Sequence, residues 1–440
     1  MNNTFVLTEC EPREVALLLK SLNPHKTYGP NSIPTEAFHL LSDDISKPLS
    51  IVFNIHFSTE QYPDLLKIAK TIPIHKKDSG LLVSNNRPIS LLLNINKILE
   101  KLMFNRVYSF LEKFKCIYKL QFGFWSKHST NHALVEITES IRKALDEGKF
   151  ACGVFVDFQK AFDTVNHEIL IGKLSHYGIR GTANCWFSSY LSKRLQYVSI
   201  LGHDSETSHV SHGVLQGSVL GPLLFLIYIN DLRMATKFSK VYHFADDTNL
   251  LHISKFPKKL QRQLNLDLRF LYNWLLANKI SLNCTKTEFI IFHKPGHPCS
   301  HNFKIKVNGH RIFPSNAIKY LGIYLDSTLS GNKHCSILIK KLIRANGMLS
   351  KVRHFVPTSE LSSIYHAIFS SHMIYGAQTW GQSIDTHTIT FSDFHADPDP
   401  MYKMLKILKL EDLITLQNVL FVYDQLKNHS QSASIHTSQN

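Results

Sequence analysis

Leu260, Leu264, Leu268, Leu271 and Leu275 recur at three- and four-residue intervals, with charged and amide residues between them. That spacing predicts an amphipathic helix whose apolar stripe lies on a sheet. Upstream, Asn131 to Glu147 is helical in composition and is followed at once by Ala151 to Val156, a short apolar run of β-formers that predicts a buried strand ending at Asp157. Val165 to Tyr177 and Thr182 to Leu191 read as helices separated by a turn at Gly178 and Gly181. Pro222 to Leu232 reads as an apolar helix with proline near its first position. Tyr242 to Ile253 predicts a β-hairpin with Asp246 and Asp247 at its turn, and Glu288 to His293 and Tyr320 to Leu325 supply further strands. From about Cys335 the pattern is mostly helical, and the Ser/His/Thr/Asn-rich stretch after Lys427 predicts disorder.

Helices and short strands alternate irregularly, without repeats or low-complexity tracts, so the class is α+β and the chain reads as one multi-lobed unit. Lysine and arginine (49) exceed aspartate and glutamate (34), a formal net charge of +15. Such a surplus points to a polyanionic partner, because each neutralised phosphate releases condensed counterions. The longest apolar run, Leu223 to Ile229, is too short for a bilayer, and Met1 to Leu7 has no secretory pattern. Seven scattered cysteines contain no C-x-x-C pair. A soluble intracellular protein with no membrane partner is the expectation. His293, His297, Cys299 and His301 could be read as zinc ligands, but Pro295, Gly296 and Pro298 mark an irregular loop there.

Carboxylates carry the candidate chemistry. Asp157 terminates a strand, and Asp246 and Asp247 sit at a hairpin tip, where a turn lets neighbours approach one site instead of pointing to opposite faces. Hard oxygen ligands so placed suit Mg²⁺ and the two-ion chemistry of nucleotidyl transfer.

The segments VFVDFQKAFD (154–163) and FADD (244–247) resemble the two metal-binding motifs of reverse transcriptases. Further blocks follow in family order: KTYGPNSIP (26–34), TIPIHKK (71–77), NRPISL (86–91), QFGFWSKHST (121–130), LQGSVLGP (215–222), YINDL (228–232), residues 281–293 and KYLGIYLD (319–326). Together they resemble the polymerase of non-LTR retrotransposons over about residues 20–330, and SHMIYGAQTWGQ (371–382) extends the likeness.

The resemblance implies a right-hand polymerase: fingers, a palm with a small antiparallel sheet, and a mostly helical thumb-like region. On that plan residues 1–150 form an N-terminal extension and fingers. The reverse transcriptase domain covers 55–326, with a palm core at 151–326. Residues 327–427 form the thumb-like region with an internal deletion, and 428–440 a disordered tail. The implied activity is RNA-directed DNA synthesis with Mg²⁺ or Mn²⁺, on an RNA template, a DNA primer and dNTPs. Asp157, Asp246 and Asp247 would hold metal. Lys286 would protonate pyrophosphate, Phe162 would clash with a 2′-hydroxyl, and Phe158 would line the nucleotide site. Gln216 and Gly217 would bring backbone N–H groups close to a nucleotide or template, and Arg87, Lys76 and Lys77 would contact triphosphate.

The chain departs from the family at Trp125, usually basic, at Asn86, usually aromatic, and at Asn166, usually aspartate. A helix resembling LQNRA is missing between Trp380 and Ile389, which would damage the thumb-like lobe and leave a silent nucleic-acid-binding relic as the rival reading. No endonuclease-like segment precedes the first block, so the chain alone is expected not to nick DNA.

Overall fold

The computed structural model describes residues 3–23, 29, 33–76, 79–80, 82–381 and 410–437. The chain forms two compact units, neither of them a continuous stretch. The first comprises Met1–Phe124, Phe158–Thr236 and Phe270–Asn283; the second comprises Trp125–Asp157, Lys237–Arg269 and Cys284–Asn440. Trp125 to Asp157 packs with the later strands, and the long segment from Phe158 joins the N-terminal residues.

In the second unit, a four-stranded antiparallel sheet is built around Phe150–Val156. Its neighbours are Asp247–Ser254 on one side and Glu288–Phe292 on the other, and Lys240–Phe244 lies beyond the first. Ala151, Cys152, Val154 and Val156 are all buried. That is why this strand reads as a continuous apolar run, since both of its faces are covered. Thr130–Asp146 is an amphipathic helix that buries Leu134, Ile137 and Ile141. It begins where the Ser129 hydroxyl accepts from the His132 N–H at 3.3 Å. Leu260, Leu264 and Leu268 are fully buried, as their spacing predicts, on the helix Pro257–Ala277.

The first unit has a mixed sheet. Ile68–His75 pairs antiparallel with Asn86–Leu91, and its first four residues pair in parallel with Leu195 to Val198. The latter belong to a strand, Arg194–Ile200, that the polar/apolar pattern does not announce. Gly221–Ile229 is apolar all round and buried on every side, as an interior helix must be. Asn166 caps the helix His167–His176 by accepting from the Ile169 N–H at 3.0 Å. Asparagine caps as well as the usual aspartate, so this departure costs the element nothing.

Two other expectations change. Tyr320 to Leu325 is not one strand but the middle of a hairpin, Ala317–Tyr320 paired with Ile323–Asp326. Its two-residue turn has Leu321 at φ 44° and Gly322 at φ 86°, the left-handed pair that a tight hairpin requires. The backbone of residues 428–437, expected to be disordered, continues the helix Leu410–Thr437. That stretch is polar but holds neither proline nor glycine, so nothing breaks the helix started upstream. The segment expected to lack a helix, between Trp380 and Ile389, falls almost wholly outside the described residues, as does most of the block at 26–34. Among the described residues no helix is long and apolar enough to cross a membrane.

Candidate active site

The carboxylates stand at one end of the four-stranded sheet. Phe244 pairs with Asp247, so the hairpin turn is the two residues Ala245 and Asp246, and Asp247 opens the returning strand. Ala245 has φ 57°. A left-handed first residue suits a two-residue hairpin, but a side chain there costs about 1–2 kcal/mol. On the central strand Val156 pairs with Thr248, so continuing the register by one residue sets Asp157 opposite Asp247. The other neighbour is level too: Phe155 pairs with Glu288, which sets Lys286 beside Asp157 two residues on. The Asp157 N–H donates to the Thr287 hydroxyl at 3.4 Å. Asp246, Asp247 and Lys286 are exposed and Asp157 is half-buried, so all four are open to solvent.

Beneath the turn, His243 and Thr248 join the two hairpin strands, imidazole Nδ1 to hydroxyl at 2.9 Å. Burial pushes the His243 pKa down to about 3. A neutral ring therefore supports the turn and adds no positive charge near the aspartates. Tyr320 packs edge to face on Phe155, centroids 5.5 Å apart. Its phenol pKa is raised first by burial and then by the charge of Asp247.

Carboxylate oxygens are the ligands that a hard divalent cation takes. Among the described residues, though, no three His, Cys, Asp or Glu side chains as they stand are grouped closely enough to hold one. The structure thus brings together the backbones of Asp157, Asp246 and Asp247, with Lys286 alongside.

Another group of predicted residues lies in the first unit. Phe162 stacks on the fully buried Phe225, centroids 4.3 Å apart. Its carbonyl accepts from the Val214 N–H at 2.8 Å, which ties this segment to the loop leading into Gly221–Ile229. In that loop the Gln216 amide donates to Asp163 at 2.9 Å, and the Gln216 carbonyl accepts from the Ser90 N–H at 2.7 Å. Gly217 has φ 118°, and a Cβ there would stand 2.5 Å from the Ser90 carbonyl oxygen. Only glycine fits, and the main chain is exposed at that point. Arg87 and Lys76 are exposed at the end of the paired strands that contain the Arg87–Ile74 pair; the Lys76 N–H donates to the Asn85 carbonyl at 2.9 Å. Phe158 is only 7% exposed and its main chain bridges Leu282, so its ring belongs to the packing. Lys77 lies outside the described residues.

Sequence reasoning missed Glu100. It sits on the helix Asn94–Lys113 at 0% exposure. Its carboxylate accepts from the N–H groups of Val219 at 2.6 Å and Leu220 at 3.3 Å, and from the Tyr190 hydroxyl at 3.0 Å. Burial raises its pKa, opposed chiefly by the nearby charge of Arg194 and by those two N–H donors. Glu100 therefore caps the start of Gly221–Ile229, immediately after the Gln216–Gly217 loop. The available signal was an acid set among Ile98, Leu99, Leu102 and Met103, all buried.

The chain belongs to the reverse transcriptase (RNA-dependent DNA polymerase) family, whose sequence pattern matches residues 74–325, more than half of its length. It is 29% identical over 395 residues to the RNA-directed DNA polymerase from the mobile element jockey of Drosophila melanogaster, covering 85% of this chain and 42% of that protein. The probable RNA-directed DNA polymerase from transposon X-element of the same fly is 26% identical over 452 residues, covering 96% and 48%. The corresponding protein from transposon BS is 28% identical over 386 residues, covering 84% and 42%. The chain thus spans less than half the length of these relatives.

Proposed function

We propose that this chain is the polymerase portion of a non-LTR retrotransposon protein and copies an RNA template into DNA. One observation carries the reading: the register that, continued by one residue, sets Asp157 opposite Asp247, next to the Ala245–Asp246 turn, within the segment matching the family. The primer 3′-hydroxyl gives up its proton to water, its oxygen forms a bond to the α-phosphorus of a dNTP, the bond from that phosphorus to the bridging oxygen breaks, and pyrophosphate leaves. Asp157, Asp246 and Asp247 are the residues that would hold Mg²⁺ or Mn²⁺. Bound there, the metal would supply the positive charge that favours the alkoxide and offsets charge on the triphosphate.

The chain's own residues complete the chemistry. Lys286, exposed and level with Asp157, is positioned to give a proton to the departing pyrophosphate. Phe162, backed by Phe225, presents a ring to the sugar, and the open main chain at Gly217 admits a nucleotide or template. Arg87 and Lys76 supply cations for the triphosphate. On this reading the four-stranded sheet is the palm, the sheet containing Ile68–His75 belongs to the fingers, and the helices from Asn332 onward are thumb-like. The experiment is extension of a DNA primer annealed to RNA. DNA synthesis that requires Mg²⁺ or Mn²⁺ is expected, and a folded protein that extends nothing with either metal would refute the proposal.

A further inference from the structure

Phe124 is among the exposed aromatics to which the proposed function gives no role. Phe124 is 52% exposed and has φ 55°, a conformation that costs a non-glycine residue about 1–2 kcal/mol. Its ring lies perpendicular to that of Phe162, centroids 6.0 Å apart and planes at 90°. An edge-to-face pair returns about 0.5–1.5 kcal/mol, no more than the backbone conformation costs. A half-exposed, strained aromatic gains the fold little. Strain of this kind collects at functional positions where the surroundings enforce it.

We propose that Phe124 is a specificity-determining residue that holds the Phe162 ring in place. Phe162 has a partner on its face, Phe225, fixed in the buried helix Gly221–Ile229 at 4.3 Å and 21°. Stacking on one face leaves a ring free to slide in its own plane. A second ring packed perpendicular against it resists that slide, and a wall excludes a 2′-hydroxyl only if it cannot retreat. The main chain cannot supply the constraint alone, because the hydrogen bond from Val214 to the Phe162 carbonyl fixes the backbone and not the ring. Phe124 thus acts through Phe162, and its removal leaves the wall present but movable. The inference rests on the role proposed for Phe162.

Single-nucleotide incorporation on an RNA template separates the two ideas, with matched dNTP and rNTP compared for the wild type, Phe124→Ala, Phe124→Leu, Phe124→Tyr and Phe162→Val. Phe124→Ala and Phe124→Leu are expected to lose about tenfold in discrimination against rNTP, the scale of one edge-to-face contact. The loss should come from faster rNTP incorporation, with the dNTP rate held. Phe124→Tyr, which keeps the ring edge, is expected to discriminate like the wild type. A merely structural role would lower both rates together and leave their ratio unmoved. If Phe162→Val relaxes discrimination while folded Phe124→Ala or Phe124→Leu does not, the role of Phe124 is overturned and that of Phe162 stands. Unchanged discrimination in Phe162→Val removes the wall itself and the inference with it. Loss of the ratio in Phe124→Leu, rescued in Phe124→Tyr, supports the proposal even if Phe124→Ala fails to fold.

Discussion

At the scale of single residues, the hairpin tip holds its shape against a local cost. Ala245 is buried and left-handed, so a β-branched side chain there meets both the backbone penalty and a filled space. Ala245→Val is expected to lower unfolding stability by about 1–2 kcal/mol, whereas Ala245→Gly stays near the wild type. Urea denaturation measures both, and a fully stable valine variant would mean that the turn is not the one described. Burial depresses the folded pKa of His243 to about 3 and of His334 to about 4, from an ordinary 6.5. Below pH 6.5 the unfolded chain takes up protons that the folded chain refuses. Stability should therefore fall as the pH drops from about 6.5 toward 4, each histidine contributing up to ~1.4 kcal/mol per pH unit. Denaturation midpoints at pH 7, 6 and 5 check this, and His243→Gln should flatten the slope by one proton's worth. The aspartates themselves were legible because a D-D pair at a predicted hairpin is a local pattern. The conformation of Ala245 was not, since alanine gives no local signal for a positive φ.

Whole elements show what periodicity can and cannot convey. The helix Thr182–Leu191 and the buried strand before Asp157 follow directly from their apolar runs. Arg194–Ile200 was hidden because it alternates imperfectly and opens with a buried arginine, and its parallel partner lies far away in sequence. The hairpin around Gly322 was read as one strand because its two halves are equally apolar and only the glycine divides them. Glu100 escaped for a related reason: its partners are backbone N–H groups over a hundred residues later, and nothing near it in sequence names them. Glu100→Gln keeps the shape but removes the negative charge that the two N–H groups and Arg194 face. A loss of about 1.5–3 kcal/mol is expected, the range for a hydrogen bond to a charged group. Thermal melting would read it, together with a raised KM for dNTP if the cap sets the Gln216–Gly217 loop. A variant as stable as the wild type would show that Glu100 caps nothing.

For the whole molecule, the two units are woven from alternating stretches of chain, which a reading that moves along the sequence cannot anticipate. Its charge was plain from composition. With 49 basic against 34 acidic residues, affinity for a primer-template duplex should fall linearly in log K against log salt, with a slope of several units and little dependence on sequence. A flat dependence would contradict phosphate contacts. The central claim is that three aspartates at one end of a sheet make this chain a polymerase. Its most direct test is primer extension on RNA by the wild type, Asp157→Asn and Asp246→Asn, all confirmed as folded and duplex-binding. The amide keeps the shape and removes the charge that would hold a dication. Mg²⁺- or Mn²⁺-dependent DNA synthesis is expected of the wild type, and none of either variant. Synthesis by Asp246→Asn at the wild-type rate would contradict the claim.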